Sequence, residues 1–169
     1  MRAMRRKNRA VTQLDDLHAI VSEARILRIA VHDEDGLYIV PLDYGFDWDI
    51  SKEQPQLSFW MHSASEGRKV DAFRAHTARN EAVAFELDID EEIISGKFAC
   101  AYSRAYRSII GSGMIVEVTD EAEKLHGLQQ LMEHVAPNAD VPMTGGALAR
   151  VSVWRLDVQT MSGKARSAS

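Results

Sequence analysis

The densest grouping of residues that could do chemistry is Phe59-Trp60-Met61-His62-Ser63-Ala64-Ser65-Glu66-Gly67-Arg68-Lys69. An apolar run gives way to small polar residues and then to two adjacent cations. That order predicts a strand feeding the N-terminus of a helix, where free backbone N–H groups and the positive end of the helix dipole favour an anion. Ser63 and Ser65 can donate hydrogen bonds or cap the helix. A cation in the first turns strengthens a phosphate contact. With Val70 and Phe73 on the buried face, Lys69 lies about 40° from Phe73 around the helix axis and Arg68 about 140° away. Lys69 is therefore the cation placed to reach a phosphate, while Arg68 points to solvent or a second protomer. His62, at the strand end, could orient a ligand or deliver a proton, since imidazole exchanges protons near neutrality. The same residues also fit an ordinary strand–helix junction, with serine caps, surface cations and a histidine holding the loop by hydrogen bonds.

Other chemistries find less support. His126 and His134 stand eight apart, not at the three- or four-residue spacing that brings ligands together on a helix. His18, His32 and His76 are isolated, and no metal site is predicted. The acidic run of Asp88, Asp90, Glu91 and Glu92 lacks the glycine of a calcium loop and reads as a solvated turn. There is no P-loop or dinucleotide fingerprint. Ser108-Ile109-Ile110-Gly111-Ser112-Gly113 lies inside a strand-like run, which predicts a bulge or close packing. Cys100 is the only cysteine, so no intrachain disulfide forms, and a buried, inert thiol is expected.

The elements that must position these groups read as follows. Thr12 starts a short helix with Asp15 as capping partner, its apolar face carried by Leu14, Leu17 and Val21. Residues 25–32 and 37–44 form a hairpin about a turn at Asp33–Gly36, with Pro41 at an edge or bulge. A polar loop, residues 47–55, precedes a third strand at 56–61. The junction helix starts near Ser63 or Ser65 and runs to about His76. Residues 81–89 form a fourth strand, and a strand region from about 97 to 118 is broken near Gly111 and Gly113. Asp120 caps a second helix with Leu125, Leu128, Met132 and Val135 on its apolar face. Residues 150–158 form the last strand. Hairpins come first, and strands and helices do not alternate as βαβ units, so the pattern predicts a mainly β, antiparallel barrel or sheet with peripheral helices.

The chain has 169 residues, 46% hydrophobic and 27% charged, which suits one domain over residues 1–169. Its net charge of −5 disfavours a general nucleic-acid role. Five of the first nine residues are basic (Arg2, Arg5, Arg6, Lys7 and Arg9) and none is acidic, so the remainder carries a formal −10. This arm, residues 1–10, reads as a solvated terminus or as a strip lying on an acidic partner surface, and residues 162–169 as a loose tail. Charges interrupt every early apolar run, and no segment approaches membrane-spanning length. A cytoplasmic, membrane-free protein is expected.

Taken in order, several segments resemble the nitroimidazole-resistance branch of the pyridoxamine-phosphate oxidase-like flavoproteins. They are Met4-Arg5-Arg6-Lys7, Leu27-Arg28-Ile29, Tyr38-Ile39-Val40-Pro41-Leu42, Trp60-Met61-His62-Ser63-Ala64, Glu66-Gly67-Arg68-Lys69, Tyr102 with Tyr106-Arg107-Ser108-Ile109-Ile110-Gly111-Ser112-Gly113, and Ser162-Gly163-Lys164. The resemblance implies a six-stranded antiparallel split barrel, FMN as cofactor, and a homodimer with two flavin sites between protomers. It implies Val40, Pro41 and Leu42 along the isoalloxazine, His62 and Ser63 at the loop, Lys69 at the phosphate, Ser108 on a later strand, and Arg107 as a weaker phosphate ligand. It places His62 on the flavin's reactive side as the catalytic candidate. The implied reaction takes electrons from a nicotinamide cofactor or another donor through FMN to a nitroaromatic or other small oxidised acceptor. The alternative is a non-catalytic flavin- or haem-binding protein. Pyridoxamine-phosphate oxidase activity itself is disfavoured by the lack of a C-terminal arginine-rich segment. Asp43, where a neutral polar residue is expected, and the long acidic 47–55 loop depart from the pattern.

Overall fold

The computed structural model describes residues 4–139, 146 and 150–168; Arg2 of the arm and Ser169 of the tail lie outside them. Period-two alternation builds most of the molecule. In β2 (Leu27–Asp33), Leu27, Ile29 and Val31 are buried while the residues between them are not. β2 pairs with β3 (Gly36–Leu42) through the expected hairpin, with Gly36 at φ 104° closing the turn. The other strands are β1 (Ala10–Val11), β4 (Gly45–Asp47), β5 (Ser58–Ser63), β6 (Val83–Ile94), β7 (Ser103–Val118) and β8 (Ser152–Arg166). They form one antiparallel sheet in the order β3-β2-β6-β7-β8-β5-β4, with β1 added along β8. The fold is mainly β with peripheral helices, as expected. Among the described residues the strands number eight instead of six, because the short β1 and β4 carry too few residues to show a period.

The sheet curls. Phe59 on β5 and Phe85 on β6 are three strand spacings apart in the sheet, about 14 Å if it were flat. Their ring centroids are 5.3 Å apart. The enclosed core also takes Tyr44, Met61, Phe73, Leu87, Ile109 and Trp154. Burial raises the Tyr44 phenol above its ordinary pKa, and its hydroxyl meets the carbonyls of Val21 and Ala24 at the end of the first helix.

Several expectations are corrected. α1 spans Leu14–Glu23 and its N-cap is Gln13, so Thr12 and Asp15 form no capping box. α2 spans Arg68–Arg79, starting later than Ser63 or Ser65, because β5 continues through Ser63. The acidic run is no turn: it belongs to β6, whose exposed carboxylates find cross-strand cations and whose register shifts between Asp90 and Ile93. β7 runs unbroken. The glycine expectation holds as a register shift at Ser112/Gly113 and as close packing, since a Cβ on Gly113 would lie 2.3 Å from the Asp157 carbonyl oxygen.

α3 (Glu121–Val135) is capped by Asp120, which accepts from the Glu123 N–H at 2.8 Å. Its buried face is Gly127 and Leu131, while Val135 is exposed. Cys100 is exposed, in a tight turn before β7 that packs outside the core. The last strand reaches Arg166, so most of the expected tail is sheet, and the arm is tied to it by the pairing of Ala10 with Lys164. Among the described residues, no helix is long and apolar enough to cross a membrane.

Candidate functional site

β5, β8 and α2 meet at the predicted junction. Ser63 is 6% exposed, and its Oγ accepts from the buried Trp154 Nε1–H at 2.9 Å and donates to the Ala64 carbonyl at 2.7 Å. The Trp154 ring in turn packs edge-on against Phe73 of α2. Ser63 therefore ties strand to helix from inside the core and does not cap α2. The chain turns into the helix at Gly67, whose φ of 111° favours glycine, and among the described residues no side chain caps the first N–H groups of α2.

The two adjacent cations part, Lys69 toward the interior as its helical angle predicts, but Arg68 is held by this chain's own hairpin instead of pointing to solvent or a second protomer. Arg68 is exposed, forks onto Asp33 through Nε and Nη2 at 2.7 and 2.9 Å, and stacks over the Tyr38 ring at 4.5 Å. Lys69 is half-buried and has no hydrogen bond or ion pair among the described residues. Loss of hydration lowers its pKa from the ordinary lysine value. His62 is exposed and its imidazole likewise has no hydrogen-bond partner among the described residues, so the loop-holding alternative has no side-chain bond to rest on.

β3 is the edge strand of the sheet, so half of its backbone N–H and C=O groups face away from β2. Val40 and Leu42 turn their side chains into the core, whereas Pro41 faces outward. The Arg68–Tyr38 stack and the Arg68–Asp33 pair fasten the start of α2 to this hairpin. The junction thus brings His62, Ser63 and Lys69 together, whereas Val40 and Pro41 lie further along β3, in the register rows of Phe85 and Gly111 and of Glu86 and Ile110.

Arg107 and Ser108 do not join the His62–Lys69 junction. His62 pairs with Val153 and Ser108 with Lys164. The stretch of β8 between those partners is about 35 Å long at strand rise. Adjacent strand residues also face opposite sides. Ser108 looks outward in a row with Asp88 and Lys164. Arg107 looks toward α1, and Glu23 of that helix and Glu91 of β6 accept its N–H groups at 2.7–3.1 Å and hold it more firmly protonated. Asp43 is exposed just beyond β3. Among the described residues, no group of three or more His, Cys, Asp or Glu could hold a metal ion.

Residues 13–165 match the sequence profile of the family described as pyridoxamine 5'-phosphate oxidase. The chain belongs to that family. A search of the curated proteins finds no match. Among solved structures, the fold is shared with a candidate 5-nitroimidazole antibiotic resistance protein from Bacteroides thetaiotaomicron, at 24% identity and a TM-score of 0.75, over 92% of this chain and 86% of that one. It is also shared with the flavocytochrome Anf3 from Azotobacter vinelandii, at 16% identity, TM-score 0.77, 98% and 72% coverage. A third is the FAD- and haem-binding protein from Mycobacterium smegmatis, at 14% identity, TM-score 0.71, 94% and 74% coverage. The curled antiparallel sheet is thus the split barrel of this family, as the sequence segments implied.

Proposed function

We propose that the chain binds FMN at the β5–α2 junction and transfers electrons through it from a nicotinamide cofactor to a nitroaromatic or other small oxidised acceptor. One observation carries the reading: Lys69 is a half-buried cation with no counter-ion among the described residues, at the start of a helix whose first N–H groups no side chain caps. Dehydrating an ammonium without pairing it costs free energy, which a bound phosphate would recover. The residues present fit the cofactor. Lys69 and the opening N–H groups of α2 suit the phosphate, and the edge of β3 at Val40, Pro41 and Leu42 suits the ring. Ser63 holds the junction rigid. Bound FMN supplies the hydride and electron transfer. His62, with its imidazole free, orients the acceptor or delivers a proton to it.

The reading includes a homodimer. The β8 partners of His62 and Ser108 stand about 35 Å apart along the strand, which supports a flavin site completed by a second copy. Leu37, Ile39 and Ile110 stand 86%, 64% and 59% exposed, an apolar outer surface that supports contact with a second copy. A free His62 imidazole also suits a haem iron, which keeps a non-catalytic flavin- or haem-binding role as the second reading. The absorption spectrum of the purified protein separates the two: flavin bands support the first, a Soret band the second. Extraction and chromatography of the chromophore distinguish FMN from FAD, and sedimentation giving about twice the chain mass supports the dimer.

A further inference from the structure

A second group of cations lies at the opposite end of β8. The pairing of Ala10 with Lys164 and Val11 with Gly163 lays the arm along the strand. The Arg9 N–H donates to the Arg6 carbonyl at 3.0 Å, closing a tight turn at Lys7–Arg9 that folds the arm back. Lys164 and Arg166, two apart on β8, share its outer face, and the Arg166 guanidinium donates to Ser103 Oγ. The result is a cleft of about 480 Å³ lined by Arg5, Arg6, Arg9, Lys164 and Arg166, with no carboxylate among the described residues of its wall. None of the five makes an ion pair among the described residues, whereas Arg28, Arg68, Arg104 and Arg107 are each held by a carboxylate. The nearby acids are engaged elsewhere: Asp88 pairs with Arg28 and Asp90 with Arg104.

We propose that this cleft binds the diphosphate group of a nucleotide. Five like charges facing one space repel one another, and an anion of high charge density relieves that repulsion. The chain beyond the arm carries a formal −10, yet among the described residues no acidic side chain lines this cleft. Arginine forks bind phosphate oxygens in pairs, and the Tyr102 and Ser103 hydroxyls in the wall can donate further bonds. The cations converge on a concavity and do not form a stripe, and the surrounding chain is acidic in balance. Both features favour a compact anion over a nucleic-acid backbone. The diphosphate could belong to a free nucleoside diphosphate or to a dinucleotide such as FAD. The proposal does not depend on the flavin reading, because within one chain the cleft and Lys69 lie at opposite ends of β8.

The test is calorimetric titration of the full chain with pyrophosphate, ADP, FAD, FMN and a single-stranded oligonucleotide, repeated for Arg6→Ala and Lys164→Ala. Arg6 is exposed and outside the core, and equal thermal midpoints confirm that each variant folds. Each substitution is expected to weaken diphosphate binding by about tenfold or more. Weakened pyrophosphate and ADP binding identifies the free diphosphate as ligand. Weakened FAD binding with FMN unchanged identifies the dinucleotide. The proposal is overturned if no diphosphate ligand binds, if the variants bind as the parent does, if FMN weakens as much as FAD, or if only the oligonucleotide binds.

Discussion

Lys69 and Arg107 are both basic residues that family resemblance assigns to a phosphate, and their surroundings are opposite. Arg107 lies against α1 between Glu23 and Glu91, its charge neutralised and its fork filled. Lys69 opens α2 partly stripped of water, with no counter-ion among the described residues. A cation whose carboxylates are already in place belongs to the scaffold, because extracting it for a ligand would forfeit those bonds. A cation held dry and unpaired has its most favourable interaction still to make. The difference between the two regions is thus a difference between fastening and binding, and substitutions can break or sharpen it.

The largest expected effect is at His62. His62→Ala should lower turnover of a nitroaromatic acceptor by roughly 10²-fold while flavin content and thermal midpoint stay at parental values. Single-turnover reoxidation per bound flavin measures it, and an unchanged rate removes His62 from the chemistry. Next comes Lys69→Ala, expected to weaken FMN by about ten- to a hundredfold, the loss of one charge-assisted contact of roughly 1.5–3 kcal/mol, with riboflavin affinity unchanged. Its pH dependence sharpens the contrast. Because burial lowers the Lys69 pKa, FMN affinity should fall with rising pH before the ordinary lysine range is reached, and Lys69→Arg should abolish that fall.

Ser63→Ala tests fastening at the junction itself. It strands the Trp154 N–H in the core at a cost of about 1–3 kcal/mol, read as a lower unfolding free energy in denaturant titration. Smallest is Arg107→Ala, a part-exposed pair change expected to cost within about 1 kcal/mol and to leave FMN affinity alone. Its hydrogen bond to Arg107 lowers the Glu23 pKa, so the pair's contribution is present above the ordinary glutamate pKa and is lost as pH falls through the lower folded value. Parent and variant should therefore converge in acid. If Arg107→Ala cost as much FMN affinity as Lys69→Ala, the distinction between the two regions would collapse.

Much of this was legible along the chain, because it depends on neighbours in sequence. Alternating burial marked β2 and the hairpin, Asp120 announced its helix, Pro41 its edge strand, and helical angles alone separated Lys69 from Arg68. What failed depended on partners distant in sequence. Ser63 reads as a helix cap until Trp154, from the last strand, claims its hydroxyl. The acidic run reads as a solvated turn until Arg28 and Arg104 come alongside and let β6 continue through it. Gly127 and Leu131 displace the expected face of α3 because the tightest contacts are set by Gly45 against the Gln130–Leu131 backbone and by Trp60 against Gly127, not by apolar period.

The sequence by itself determined the class of fold, the order of its elements and the stretch from His62 to Lys69, since local periodicity and junction chemistry are written in consecutive residues. Only the tertiary structure decided which cations are spent and which are free. Ion pairing and desolvation are set by the three-dimensional neighbourhood, and the strands that bring Glu23 to Arg107, or Arg6 to Lys164, are joined only by folding.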